Sequence, residues 1–177
     1  MQISKFEPFG PFTMPVQGAR VDRSREKEFW NKVEDELQGL SDSVGCYIFA
    51  IRVAKGVLPW YVGMTEKRSF RKESWEPHKL NLYIEALLDR KRGTPLLYLI
   101  AKQTTSGRFT KSSKSRLGSV RALEKLLIHT CILKNPKLLN KKATRHFRGL
   151  QVPGYMNAGA RTGQARQLAK VLGVAKS

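Results

Sequence analysis

Glu124 is the only acidic side chain after Asp89, in a stretch that carries 20 Lys and Arg. It lies in Ser119–Leu133 (S-V-R-A-L-E-K-L-L-I-H-T-C-I-L), a run that opens on a capping serine, keeps helical apolar spacing and stops before Asn135-Pro136. At about 100° per residue, Val120, Leu123, Leu127, Ile128 and Cys131 share one face, with Glu124 in its middle, while Arg121, Lys125 and His129 take the other side. An ionised carboxylate among apolar neighbours is costly unless a cation, hydrogen bonds or a metal ion compensates it. Two chemistries answer to that placement: a buried ion pair with one of the arginines, or an acid kept to hold a cation at a site.

The elements that would position such a site are legible upstream. Gly45–Val53 (G-C-Y-I-F-A-I-R-V) reads as a strand, Ala54–Pro59 as a turn and Trp60–Met64 (W-Y-V-G-M) as a second strand, together a hairpin. Thr94–Lys102 returns as a third strand. Helices are predicted over Ser24–Leu37, with Phe29, Trp30, Val33 and Leu37 on its face, and over Lys79–Arg90, with Leu80, Tyr83, Ile84, Leu87 and Leu88. Between them Thr65 caps a short helix carrying Phe70 and Arg71, and a last helix runs from about Thr162 to Leu172. Gln103–Gly118, rich in Ser, Thr, Gly and cations, reads as a mobile basic loop. Residues 1–22, with Phe6, Pro8, Phe9, Gly10, Pro11, Phe12 and Pro15, read as an irregular arm.

The chain has 177 residues, enough for one domain with a real core. Its formal net charge of +19 is unevenly spread: residues 1–89 balance 13 basic against 13 acidic side chains, so the whole excess belongs to the second half. Such an excess points to a polyanion, first of all nucleic acid, where clustered cations gain affinity by releasing counterions. No apolar run approaches a membrane span, and the N-terminus lacks the order of a signal peptide, so the expectation is a cytoplasmic protein without a membrane partner. Cys46 and Cys131 lack paired spacing and read as core residues; the three histidines form no ligand motif.

The tripeptides G-C-Y (Gly45, Cys46, Tyr47) and Y-V-G (Tyr61, Val62, Gly63), then Arg71 eight residues beyond Gly63, Glu124 on a later helix and Asn140 of K-L-L-N follow one another in order. This constellation resembles the GIY-YIG nuclease family over about residues 44–141. The resemblance implies an α+β domain with a three-stranded antiparallel sheet flanked by helices; with the preceding helix that domain is expected over residues 23–141, and residues 142–177, which the resemblance does not explain, are expected as a basic extension packed on the same domain. It also implies phosphodiester hydrolysis. Glu124 would hold a single Mg²⁺ (or Mn²⁺), a hard cation content with one or two carboxylates. Arg71 would grip the scissile phosphate. Tyr47 and Tyr61 would bind water and phosphate oxygens, with Tyr47 as general base or proton relay, a task for which a phenol needs nearby positive charge. Gly45, Gly63 and Asn140 would support the site. Where many members carry His or Tyr four residues after the helix arginine, this chain has Trp75, which cannot take a proton from water; His78 is the nearest substitute.

The functional expectation is a metal-dependent endonuclease acting on DNA, structure-directed or weakly sequence-specific. Lys67, Arg68, Lys72, Lys111, Lys114, Arg116, Lys141, Lys142, Arg145 and Arg148 would form its backbone clamp. Two copies meeting on a duplex would allow double-strand cleavage. The alternative from another class is a non-catalytic DNA- or RNA-binding protein that keeps the fold.

Overall fold

The computed structural model describes residues 3–89, 93–113, 117–141, 144–156 and 162–174. In chain order the elements are β1 (Lys5–Thr13), β2 (Val16–Gln17), β3 (Arg20–Val21), α1 (Glu26–Glu36), β4 (Gly45–Val53), β5 (Gly56–Thr65), α2 (Phe70–Ser74), α3 (Pro77–Asp89), β6 (Thr94–Gln103), α4 (Gly118–Lys134), α5 (Arg145–Gly149) and α6 (Gly163–Val171). This is a mixed α+β fold with a small antiparallel sheet flanked by helices. The sheet has four strands in the order β1-β6-β4-β5 rather than the three expected. The extra strand is the N-terminal arm, which pairs with β6 from Lys5 opposite Gln103 to Thr13 opposite Leu96. Its prolines are tolerated because it is an edge strand, and Phe12 is buried while Phe6 and Phe9 are half-buried.

Alternation along β4 sends its side chains to two different layers. Tyr47, Phe49 and Ile51 join Tyr61, Leu97 and Leu99 in the larger core, which α1, α2 and α3 close with Phe29, Trp30, Val33, Phe70, Trp75, Leu80 and Tyr83. On the opposite face Ile48 and Val62 pack with Ile128, Cys131 and Ile132 of α4. Cys46 and Cys131 are both buried free thiols, as their isolation in the sequence leads one to expect.

The hairpin is tighter than its sequence suggests. β5 starts at Gly56, with Ala54-Lys55 alone forming the turn, and Pro59 is accommodated at a register shift where Phe49 faces Tyr61 and Ala50 faces Pro59. Thr65 does not cap a helix: it ends β5, and its hydroxyl donates to the Arg68 carbonyl. The basic loop after β6 is anchored, with Thr110 donating to the Lys102 carbonyl at 2.9 Å and Phe109 meeting Phe9 edge-on at 5.5 Å. In α3, Leu88 is exposed instead of facing the core. The C-terminal extension lies against the outer side of α4, where Phe147 stacks on His129 at 4.7 Å and the Tyr155 hydroxyl meets His129 Nε2 at 3.1 Å.

β5 is the other edge, and the segment after α4 seals it. Leu139 N–H donates to the Trp60 carbonyl at 2.8 Å and Asn135 Nδ2 to the Pro59 carbonyl at 2.8 Å. The Asn140 side chain then accepts from Val62 N–H at 2.9 Å and donates to the Val62 carbonyl at 2.7 Å, satisfying both backbone groups between Tyr61 and Gly63.

Candidate active site at the edge of the sheet

The candidate site spans β5, with α3 packed on one face of the sheet and α4 on the other. Tyr47 and Gly63 are directly paired across β4 and β5, so a Gly63 side chain would project to the same face as the Tyr47 ring. A Cβ at Gly63 would lie 2.2 Å from Tyr47 Cζ and 2.4 Å from its oxygen. The absence of that carbon lets the phenol lie over β5. Gly45 serves the backbone instead: its φ of +154° and a Cβ position 2.1 Å from the Ile100 carbonyl leave room for glycine only. Gly63→Ala is expected to lower stability by about 1–3 kcal/mol through overpacking, measured by chemical denaturation; an unchanged midpoint would mean the ring moves freely.

Tyr47 is fully buried, and its hydroxyl is a buried polar atom without a hydrogen-bond partner among the described residues. Burial above all, with Tyr83, Tyr61, Glu73 and Glu124 nearby, holds its proton on well above the ordinary phenol range. The general-base role expected for Tyr47 requires the opposite environment, one that draws the proton off the phenol. Tyr61, beside it at 6.3 Å between ring centroids, is nearly buried, and its oxygen accepts from Lys79 Nζ at 2.5 Å.

Glu124 comes to the site from the middle of α4, half-buried as its helical phase predicts. Burial pushes its carboxyl up; Lys79, Arg121 and Lys125 pull it down, and Glu66 adds to the rise. Ser119 is not the cap of α4. Leu117 occupies the cap position without a capping side chain, and the buried Glu66 carboxylate accepts the Leu117 N–H at 2.8 Å. The same carboxylate holds Arg121 through Nε at 3.0 Å and Nη2 at 2.8 Å, a two-pronged bond that fixes the helix on which Glu124 stands. Because the arginine is part-exposed, Glu66→Gln is expected to cost a discounted ~1–2 kcal/mol, read from the urea midpoint.

Arg71 is not brought to these groups. Its Nη2 donates to Ser41 Oγ at 2.7 Å, its backbone N–H donates to the Ser41 carbonyl at 3.0 Å, and it lines a recess with Arg23, Trp30 and Asn31 on the α1 side. Glu34, whose carboxylate accepts from Gly39 and Ser41 N–H, feels its charge. The physical reason is rotation about α2. With Phe70 directed into the core, Arg71 and Glu73 fall about 200° apart, and it is Glu73 that turns toward the tyrosines.

Trp75 is 2% exposed and packs on Phe29 at 5.4 Å, which makes it a core residue joining α2 to α1. His78 is exposed, with Nδ1 3.4 Å from Glu76 Oε2. Glu73, Glu76 and His78 each offer a ligand atom, and these lie within 4.8 Å of one another, so this set could hold a divalent cation. Arg68 also pairs with Glu76, and Lys79 lies 4.0 Å from Glu73.

Lys67, Arg68, Lys72 and Lys111 are gathered, with Asp42, Ser69 and Ser112, around one recess of about 680 Å³. Lys141 and Arg148 are exposed, and Arg148 donates to the Leu138 carbonyl. Lys114, Arg116, Lys142 and the Arg145 side chain lie outside the described residues. No helix among the described residues is long and apolar enough to cross a membrane.

Sequence reasoning missed Lys79 and Glu66. Lys79 had a signal: it stands four residues before Tyr83, on the face that α3 turns to the sheet, and its side chain is only 13% exposed. Comparison of the chain with protein-family models, with curated proteins and with solved structures finds no match.

Proposed function

We propose that this chain is a metal-dependent endonuclease of the GIY-YIG kind, hydrolysing DNA phosphodiesters at the β5 edge. The observation that supports the reading is the pair Tyr47 and Tyr61 side by side on β4 and β5, with the Glu124 charge acting on Tyr47 and the buried Tyr47 hydroxyl left without a partner among the described residues. In the hydrolysis, water oxygen bonds to phosphorus, one P–O ester bond breaks and the departing oxygen takes up a proton. A phosphodiester repels such attack, so the site must offset developing negative charge.

The donor set suits a hard divalent cation: Glu124 contributes one carboxylate whose burial already calls for a positive neighbour. When bound, Mg²⁺ or Mn²⁺ would supply Lewis-acid polarisation of a phosphate oxygen. Glu124 would hold that ion, while Tyr47 donates to a phosphate oxygen or the attacking water. Tyr61, whose oxygen already accepts from Lys79, keeps its own O–H for a second such contact. The Glu73, Glu76 and His78 set offers a second group of ligands able to hold a cation. The recess of Lys67, Arg68, Lys72 and Lys111 would hold the DNA backbone without reading sequence.

The test is incubation of the protein with supercoiled, linear and branched DNA in Mg²⁺ or EDTA. Nicking that requires the metal supports the reading. Binding to DNA or RNA without cleavage of any substrate would favour a non-catalytic nucleic-acid-binding protein, a reading that the turned-away Arg71 and the core position of Trp75 favour.

A further inference from the structure

We propose that Lys79, and not Arg71, is the side-chain cation that meets the substrate phosphate, an inference that rests on the nuclease reading. The position is unusual for a lysine. Pro77 opens α3, Tyr83 is buried against Phe49 in a 4.0 Å stack, and the helical step from Tyr83 back to Lys79 draws the lysine in under the sheet edge. Its side chain is 13% exposed, its Nζ lies 4.8 Å above the Tyr61 ring centroid and 2.5 Å from the Tyr61 oxygen, and its charge is the largest of those that favour the ionised Glu124.

A purely structural ion pair would give a different geometry. Glu73 is 4.0 Å away, beyond hydrogen-bond reach, so the bond to Tyr61 is the single one that the Lys79 side chain makes among the described residues. An ammonium has three donors. Two remain, and the two non-bridging oxygens of a phosphodiester need two. Arg71 keeps donors of its own, but they lie on the α1 side, where Nη2 is tied to Ser41 and the charge acts on Glu34, and reaching the tyrosines would require breaking that linkage and turning to the opposite side of α2. Lys79 thus becomes a catalytic residue, offsetting charge on the phosphate while Tyr61, held by the same ammonium, is oriented beside it.

The experiment compares Lys79→Met, Lys79→Arg and Arg71→Met with the wild type on labelled oligonucleotide DNA. In EDTA, the slope of log affinity against log salt is expected to fall by about 0.9 in Lys79→Met, the loss of one phosphate contact on B-DNA. Arg71→Met is expected to leave that slope as it is while lowering the melting temperature. In Mg²⁺, single-turnover cleavage by Lys79→Met is expected to drop about 10²–10³-fold, with Lys79→Arg recovering most of it. A folded Lys79→Met with wild-type slope and rate overturns the inference, as does loss of the slope increment in Arg71→Met instead. Wild-type protein that binds DNA and never cleaves it sinks the nuclease reading alone, and the slopes still decide which residue touches phosphate. Absence of DNA binding sinks both.

Discussion

Glu124→Gln is expected to reduce metal-dependent cleavage at least about 10²-fold while making the protein more stable at neutral pH. The loss follows because glutamine keeps the size of the side chain and removes the negative charge that the proposed cation needs. The gain follows from the half-buried setting on α4, where burial pushes the Glu124 carboxyl up against the pull of Lys79, Arg121 and Lys125. A carboxyl whose folded pKa lies above its unfolded value binds its proton more tightly in the folded chain. Its charged form therefore subtracts stability above the carboxylate range, and the penalty fades as pH falls through that range. Melting curves in EDTA should thus show Glu124→Gln above the wild type at pH 7 and level with it near pH ~3. Cleavage surviving in this variant would remove Glu124 from the site, and a lower melting temperature at pH 7 would mean that its ion pairs outweigh its burial.

Trp75→Ala is expected to cost about 3–5 kcal/mol, which for a chain of this size is a fall in melting temperature on the order of 10 °C. Trp75 is almost wholly enclosed between α2 and α1, against Phe29, whose own ring meets Trp30 edge-on at 5.1 Å. The cavity left by alanine would open between α2, which carries both Arg71 and Glu73, and α1, whose Glu34 holds the Ser41 backbone that Arg71 meets. Trp75→His, the substitution that the resemblance invites, would not install a proton acceptor at the phosphate; it would place a polar ring in the same apolar socket. Its expected result is destabilisation without faster cleavage. A Trp75→Ala variant within 1 kcal/mol of the wild type would show that the α1–α2 contact is dispensable.

What the sequence made legible was whatever depended on local periodicity. β4 alternates cleanly and runs over Gly45–Val53 as expected, and the stripe around Glu124 does face the sheet, with Val120, Ile128 and Cys131 buried. Features decided by residues distant in the chain were not legible. Whether Arg71 turns toward the tyrosines or away depends on Ser41 and Glu34, which are offered by the loop after α1 and by α1 itself. The serine before Glu124 suggests a cap, yet the orphan N–H groups of α4 are met by Glu66 from the end of β5. Phe- and Pro-rich residues near the N-terminus look irregular because proline is rare in paired strands; only the availability of the β6 edge makes a strand of them. Lys79 was overlooked for a different reason. The apolar stripe of α3 is readable through Leu80, Tyr83 and Leu87, and a lysine beside it passes for a solvated neighbour until its bond to Tyr61 is seen.

The pairing of β1 with β6 also orders events in time. Lys5 lies opposite Gln103, so β1 has no partner until α1, the β4–β5 hairpin, α2, α3 and β6 have all been made. Contacts so distant in sequence must close a long loop before they return any stabilisation, which slows folding. During that interval the outer edge of β6 is an open template for other chains. β1 is therefore made well before its partner and arrives late as the cover of the sheet, and slow docking there would surface as aggregation during expression rather than as loss of chemistry at the opposite edge.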